Sequence, residues 1–404
     1  MALTYSRVSV ILRGYQADTT ATVPARSSHN SERVTCPYWT SSILLDLEGN
    51  IDLSPTHSAT PDSYHKLGHL IRGCVVTALL AAVARLGVAD LLANGPLSAI
   101  ELAQRCQAHP DALDRALRAL ASVGVFTLDG DRFQLNDLAA SLRKDAQPSL
   151  RLTAMTAADP AFWQSYGAAL HTLRTGQTAF EHVFGTDLFD YYRSHPAEAD
   201  TFTQCMTEGS QYRLAGILSA LDLGTSRRVV DVAGGEGTLI AGILRHHPQA
   251  IGVLFDQPRV LTQASTVLNA AGVGQRCELA AGDFFRDDVP ARGDLYLMKR
   301  VIHDWDDTRA AHILRNVHRN APTGARLVLI EQLLRPDDPP NYLYDISMLL
   351  ALGGRERTLD QYEALLADSG FALHSVTPTT VGSSLIEARA LPTGPSSADA
   401  PPRP

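Results

Sequence analysis

Cysteine is scarce in this sequence: Cys36, Cys74, Cys106, Cys205 and Cys277 are spread over 404 residues with no CxxC pair. An odd, scattered set with no histidine at ligand spacing argues against a disulfide framework and a structural zinc site. The thiols read as reduced and the protein as cytoplasmic. Long hydrophobic runs are missing too. The longest apolar helical stretch, CVVTALLAAVA at 74–84, falls far short of the ~20 residues that span a bilayer, and the apolar segment at 8–12 is too short for a secretory leader. Positive charge is in deficit, with 35 Lys and Arg against 43 Asp and Glu, so nothing in the overall balance would grip a phosphate backbone. Neither a membrane nor a nucleic acid is the expected partner.

What remains is the composition of a globular enzyme or binding protein, 45% hydrophobic and 19% charged, on a chain too long for one core. Its ends differ from its middle. Residues 1–62 are rich in Ser, Thr, Asn and Pro without a period of 2 or 3.6, which reads as a disordered extension or as the product of an upstream start codon. Residues 391–404 carry five prolines and read as a disordered tail.

Residues 63–150 read as a mainly helical domain. Tyr64 to Leu92 favour one helix with apolar side chains on nearly every face, so part of it is expected to meet another subunit. A helix, a turn, a helix at 111–123 and a hairpin turning at Asp129-Gly130 then make a winged-helix pattern. Its recognition helix sets Arg115 and Arg118 against Asp111 and Asp114, which favours dimerisation over DNA binding, although a DNA-binding regulator stays as a distant alternative. Residues 151–220 alternate helical patches with aromatics, as a linker or pocket segment would. From 221 to 390, short Val/Leu/Ile strands alternate with amphipathic helices: an α/β, Rossmann-like, mostly parallel sheet closed by an antiparallel hairpin from FALHSVTP and SSLIEARA.

The strand RRVVDV runs into AGGEG, placing Gly234, Gly235 and Gly237 between Asp231 and a helix start, where backbone can approach a ligand closely. Asp256 ends the next strand, where an acid can hold both hydroxyls of a ribose. The spacing departs from GxGxxG, and Glu236 would repel a pyrophosphate. A nucleoside bearing positive charge suits this loop better than a dinucleotide. Asp283 and Phe284 end a third strand, placed to meet a base.

VVDVAGGEG, Asp256 in FDQP, GDFF at 282–285, LMKRVIHDWDD at 297–307, Glu331 in LIEQLL and GGRERT at 353–358 together resemble the class I S-adenosylmethionine-dependent methyltransferases. More closely, the sequence is similar to the dimeric small-molecule O-methyltransferases of caffeate, hydroxyindole and bacterial polyketide type, over about residues 67–390. The resemblance implies a homodimer held by the winged-helix region, S-adenosyl-L-methionine as cofactor, and an aromatic secondary metabolite with a hydroxyl group as acceptor. It assigns Asp231 and the glycine loop to the amino acid end of the cofactor, Asp256 to the ribose, Asp283 and Phe284 to the adenine, and Lys299 to the same site. His303 becomes the base, flanked by Glu331 and Glu356, with Asp304 supporting. Ala233 departs from the family, whose loop usually begins with glycine.

On this reading Glu331 holds the second imidazole nitrogen, while Asp306 and Asp307 only begin the next helix. Met155, Trp163, Phe180, Phe184, Met206, Met348 and Leu349 are candidates for an apolar acceptor wall. Taken alone, His303 could also be a histidine satisfied at a strand end. A relative that has given up methyl transfer for decarboxylation or hydroxylation is the other enzyme reading.

Overall fold

The structure is a computed structural model that describes residues 60–336 and 339–392, together with the short strands 44–45 and 51–52. The chain divides into two units, residues 1–72 and 73–404. In the first, β1 (Leu44–Leu45) pairs antiparallel with β2 (Ile51–Asp52), and Thr60 caps a helix Pro61–Ile71. The rest of 1–59, expected to be an extension, lies outside the described residues, as does 393–404.

The single helix expected over 64–92 is instead three: Pro61–Ile71, Gly73–Arg85 and Val88–Leu91. Arg72 ends the first, and Gly87 breaks the second from the third with φ of 67°, which glycine adopts without strain. The later part of this stretch is buried, with Val83 2% and Val88 0% exposed, while the first helix leaves Leu70 76% and Ile71 68% exposed within one chain.

In the second unit, helices Gly73–Arg85, Ala99–Cys106 and Pro110–Ser122 pack with β3 (Leu97–Ser98), β4 (Thr127–Asp129) and β5 (Arg132–Gln134), in sheet order β3-β5-β4. This is the winged-helix arrangement read from the sequence. Ser98 and Glu101 form a capping box, and Pro110 opens the second helix at a position where its missing N–H is not needed. Leu102, Leu117, Leu120 and Phe133 fill its core. Arg118 is tied to Asp114 at 2.7 Å on the same helix.

A seven-stranded sheet follows, built from β6 (Arg228–Val232), β7 (Ile251–Asp256), β8 (Cys277–Ala281), β9 (Leu295–Lys299), β10 (Arg326–Glu331), β11 (Phe371–Pro378) and β12 (Ser384–Ala390), in order β11-β12-β10-β9-β6-β7-β8. β6 to β10 pair in parallel; β12 runs antiparallel to β10 and β11. Two apolar cores cover its faces, one around Val230, Tyr296 and Leu329, the other around Val229, Leu297 and Ile330. Because alternate residues of one strand feed opposite faces, such strands read as continuous apolar runs. Strand order reverses at the β6–β9 pair, and there the chain leaves the sheet in opposite directions, opening a crevice at the strand ends. Asp231, Asp256, Lys299 and Glu331 all stand at that edge. No single helix among the described residues is long and apolar enough to cross a membrane.

Candidate active site

The crevice has two sides. On the first, β6 ends in a loop whose backbone is left-handed at Ala233, Gly235 and Gly237 (φ 55°, 64° and 84°). Ala233 therefore holds, with a methyl group, a conformation that glycine adopts freely. At Gly234 a side chain is excluded by space: an added Cβ would lie 2.4 Å from Leu254 and 2.6 Å from the Asp231 carboxylate.

Asp256 is fixed by two backbone donors, Gly235 N–H to Oδ2 at 2.9 Å and Gln257 N–H to Oδ1 at 2.7 Å. Asp231 is buried, and neither carboxylate oxygen has a partner. Burial pushes its pKa up to about 7, against the pull of Lys299. Lys299, held down by burial and supported by Asp231, donates to Ser210 Oγ at 2.9 Å on helix Pro196–Ala220. Asp283 Oδ1 accepts from Phe285 N–H, and Phe284 stands edge-on to Phe285 and Trp305.

On the second side, His303 is 3% exposed in a single 3-10 turn after β9. Its Nδ1 lies 2.9 Å from Glu356 Oε1, and its Nε2 3.2 Å from Asp304 Oδ1. Glu331 does not hold the second nitrogen. Its Oε1 accepts the N–H groups of Val301 and Ile302 at 3.1 and 3.0 Å, so it clamps the turn that carries the histidine. Glu356 takes the orienting place because the 353–358 loop is laid directly on that turn.

Four hydrogen bonds make that placement. Arg355 N–H donates to His303 O at 2.8 Å, and Asp345 Oδ1 accepts Glu356 N–H at 2.8 Å. The wholly buried Arg357 donates to Ile302 O and Trp305 O. Gly354 has no room for a Cβ, which would sit 2.2 Å from His303 O. Asp306 caps the helix Asp307–Asn320 as expected, but Asp307 does more than begin it, pairing with Arg355 and Arg357.

Arg300 completes the cluster. Its backbone is left-handed (φ 55°), which turns the guanidinium inward over the Tyr344 ring at 4.8 Å. Nη1 donates to Gln332 at 3.0 Å, and Nη2 lies 3.4 Å from His303 Nδ1 and 3.6 Å from Glu356. Burial, then Arg300, lowers the His303 pKa, with Asp304 and Glu331 opposing. Burial pushes Glu356 up to about 7, Arg300 opposing, and Asp304 up to about 6, His303 opposing. Ligand atoms of His303, Glu331 and Glu356 fall within 4.8 Å of one another, yet they are committed to each other and to backbone donors, with a guanidinium beside them.

The sequence reading gave no role to Arg300 and Arg357, although both lie inside quoted motifs, and missed Tyr344, Asp345 and Ser210, which lie in none. Arg300 had one signal, its place three residues before His303. Of the proposed acceptor wall, Met348 is buried, Met155 half-buried, and Trp163 and Met206 are 38% and 47% exposed. Phe180 is wholly enclosed with Phe184 and Tyr191 in an aromatic core. A surface hollow of about 330 Å³ around His171, Thr178, Glu181 and His182 shares no residue with the His303 cluster, which carries the chemistry.

A Rossmann-like sheet with a glycine loop, acids on successive strand ends and a buried histidine-carboxylate pair defines a class I methyltransferase architecture. The chain belongs to the O-methyltransferase family: the O-methyltransferase domain matches residues 163–372 and the O-methyltransferase dimerisation domain residues 68–145. It is 40% identical over 323 residues to a phenazine O-methyltransferase of Lysobacter antibioticus, covering 79% of this chain and 94% of that one. It is 37% identical over 343 residues to the O-demethylpuromycin-O-methyltransferase of Streptomyces alboniger, covering 82% and 90%. Among solved structures, the mitomycin 7-O-methyltransferase superposes with a TM-score of 0.76 at 31% identity, covering 81% and 98%. An O-methyltransferase of neocarzinostatin biosynthesis, in complex with S-adenosylmethionine and 2-hydroxy-5-methyl naphthoic acid, gives 0.70 at 32%, covering 78% and 96%.

The protein is thus an S-adenosylmethionine-dependent O-methyltransferase of the type found in secondary metabolism. Its own residues fit that cofactor. The unpartnered Asp231 carboxylate and the side-chain-free approach at Gly234 suit a ligand with a cationic end pressed against backbone.

Proposed function

We propose that the chain methylates a phenolic hydroxyl of an aromatic small molecule, with His303 as general base, Glu356 as its orienting acid and Asp304 beside the nitrogen that receives the proton. The observation that carries this reading is the buried His303–Glu356 pair at 2.9 Å, at the strand edge that also holds the glycine loop. Relatives named for acting on 3-amino-4-hydroxybenzoate and on 2,7-dihydroxy-5-methyl-1-naphthoate support a phenolic acceptor.

S-adenosylmethionine, when bound, supplies a methyl group on a sulfonium. Asp256 would hold its ribose, Asp283 and Phe284 its adenine, and Asp231, Lys299 and the loop of Gly234, Gly235 and Gly237 its amino acid end. A phenol must lose its proton to become a good nucleophile, and a neutral imidazole can take it. With Glu356 accepting from Nδ1–H, Nε2 is left as the acceptor. Asp304, 3.2 Å away, stabilises the imidazolium that results. Glu331 keeps the turn in place, and Arg300 holds Glu356 as a carboxylate while opposing early protonation of His303. Positioning of the hydroxyl contributes the rest. Met155, Trp163, Met206 and Met348 would wall the acceptor, and Phe180 would back them.

The exposed apolar residues Leu70 and Ile71 lie within the matched dimerisation region, and a homodimer would cover them. Cys106, Cys205 and Cys277 are free thiols, which suits a cytoplasmic enzyme.

The test is incubation with methyl-labelled S-adenosylmethionine and a panel of phenols, following label transfer and a mass gain of one methyl group. Transfer is expected, with His303→Ala strongly impaired. Unchanged turnover in that variant removes the base assignment; cofactor binding with no transfer to any acceptor removes the phenol reading.

A further inference from the structure

Helix Pro196–Ala220 presents Met206, Gly209, Ser210 and Arg213 at spacings of three, four and seven residues, which is one stripe of a helix. Lys299 bonds to Ser210 at 2.9 Å, so this stripe lies against the end of β9, where the cofactor side and the base side meet.

Arg213 is half-buried there and incompletely bonded. Its Nη1 donates to Gly209 O at 2.9 Å, one turn back in its own helix. Its Nε is sealed from solvent without a hydrogen-bond partner, and among the described residues the side chain forms no ion pair. Nη2 is the donor left for an incoming anion, and a carboxylate is an anion whose geometry suits a guanidinium.

The charge that weighs most on Arg213 is another cation, Arg300, and Lys299 also feels it. Arg300 has its own counterion in Glu356 at 3.6 Å, and among the described residues Arg213 has none. A guanidinium withdrawn from water beside a like charge, with a buried donor unfilled, is costly until an anion completes it.

We propose that Arg213 binds a carboxylate on the methyl acceptor, which makes the acceptor class a hydroxyaryl carboxylate. This rests on the phenol reading above and narrows it. A second source of the same chemistry is the carboxylate at the amino acid end of the cofactor, and the experiment separates the two.

The full chain, loaded with S-adenosylhomocysteine, is titrated calorimetrically with hydroxybenzoates and hydroxynaphthoates, with their methyl esters, and with benzoate. Wild type is expected to bind the acids at least about tenfold more tightly than the esters, the worth of one charge-assisted hydrogen bond. Arg213→Met should collapse that ratio and abolish benzoate binding, Arg213→Lys should restore part of it, and S-adenosylhomocysteine should still bind. That last measurement also reports folding. If Arg213→Met does not fold, Arg213→Gln carries the comparison, and the wild-type ratio stands by itself. Equal affinity of the wild type for acids and esters overturns the proposal. So does loss of S-adenosylhomocysteine affinity in Arg213→Met with the acid-to-ester ratio intact, which assigns the arginine to the cofactor. Binding of acids without methyl transfer would instead leave Arg213 assigned and count against the phenol reading.

Discussion

His303 and Glu356, 53 residues apart in sequence, meet at 2.9 Å with both side chains closed off from solvent. A buried imidazole bonded to a buried carboxylate through Nδ1 has one nitrogen committed and one free to take a proton. Removing either partner should therefore affect the rate far more than ligand binding. His303→Ala is expected to lower kcat by ~10²- to 10⁴-fold, the usual worth of a positioned general base. Glu356→Gln should lower it by less, with S-adenosylhomocysteine affinity retained in both. Steady-state kinetics and calorimetry on the two variants check this.

The charge of Arg300 gives a pH prediction with a definite sign. The base works only when neutral, so the rate falls as pH drops through its pKa, and burial and Arg300 both push that pKa below the ordinary histidine value. Arg300→Met removes one of these influences. It also lets Glu356, held at about 7 against the pull of Arg300, rise further. Both changes move the acid limb of the kcat/KM profile to higher pH, and Arg300→Lys should move it less. An unmoved limb would show that the arginine only packs against Tyr344. Asp304 titrates near the same range, so the profile reports the cluster as a unit.

Gly354 is expected to tolerate no side chain. A methyl group there meets the His303 and Asp304 carbonyls at 2.2 and 2.7 Å, both of them backbone atoms that cannot swing aside. Gly354→Ala should cost about 1–3 kcal/mol of stability by overpacking. It should also lengthen the His303–Glu356 contact, so kcat falls beyond what the lower melting temperature explains. Thermal melts alongside turnover at a temperature where the variant is folded separate the two effects.

Arg357 is wholly buried and bonded to Ile302 O, Trp305 O and the Asp307 carboxylate. Arg357→Met leaves two buried carbonyls and an aspartate without their shared donor. A loss of about 1–3 kcal/mol is expected for each buried acceptor left unsatisfied, while the exposed Asp307 turns to water. Denaturant unfolding measures it.

The uncovered apolar residues bear on assembly. Leu70→Glu with Ile71→Glu should shift a dimer toward monomer, because a charge would have to be buried in the interface. Analytical ultracentrifugation over a range of concentrations reads the outcome, and a wild-type chain that is monomeric throughout would count against the homodimer.

The apolar strands, the glycine loop after Asp231 and the closing hairpin were legible in the sequence because each depends on neighbours in the chain: a short continuous apolar run, a turn that needs positive φ, a four-residue connection. The winged-helix region was legible for the same reason. The helix over 64–92 was misread, since composition shows that a helix is apolar all round but not that Gly87 breaks it.

The cluster around His303 was read only in part. Residue types and order singled out His303, Glu331 and Glu356, but their roles depend on which loop lies on which. Glu331 ends β10 and reaches the backbone of the turn, while Glu356 comes back across the sheet edge to the imidazole. Arg300, Tyr344, Arg357 and Arg213 were invisible because an arginine or tyrosine acquires such a part only from what surrounds it. Sequence by itself determined the sheet, the cofactor loop and the presence of a histidine with acids. Tertiary structure alone decided which acid holds the histidine, because hydrogen bonds across 53 residues are set by packing, not by spacing.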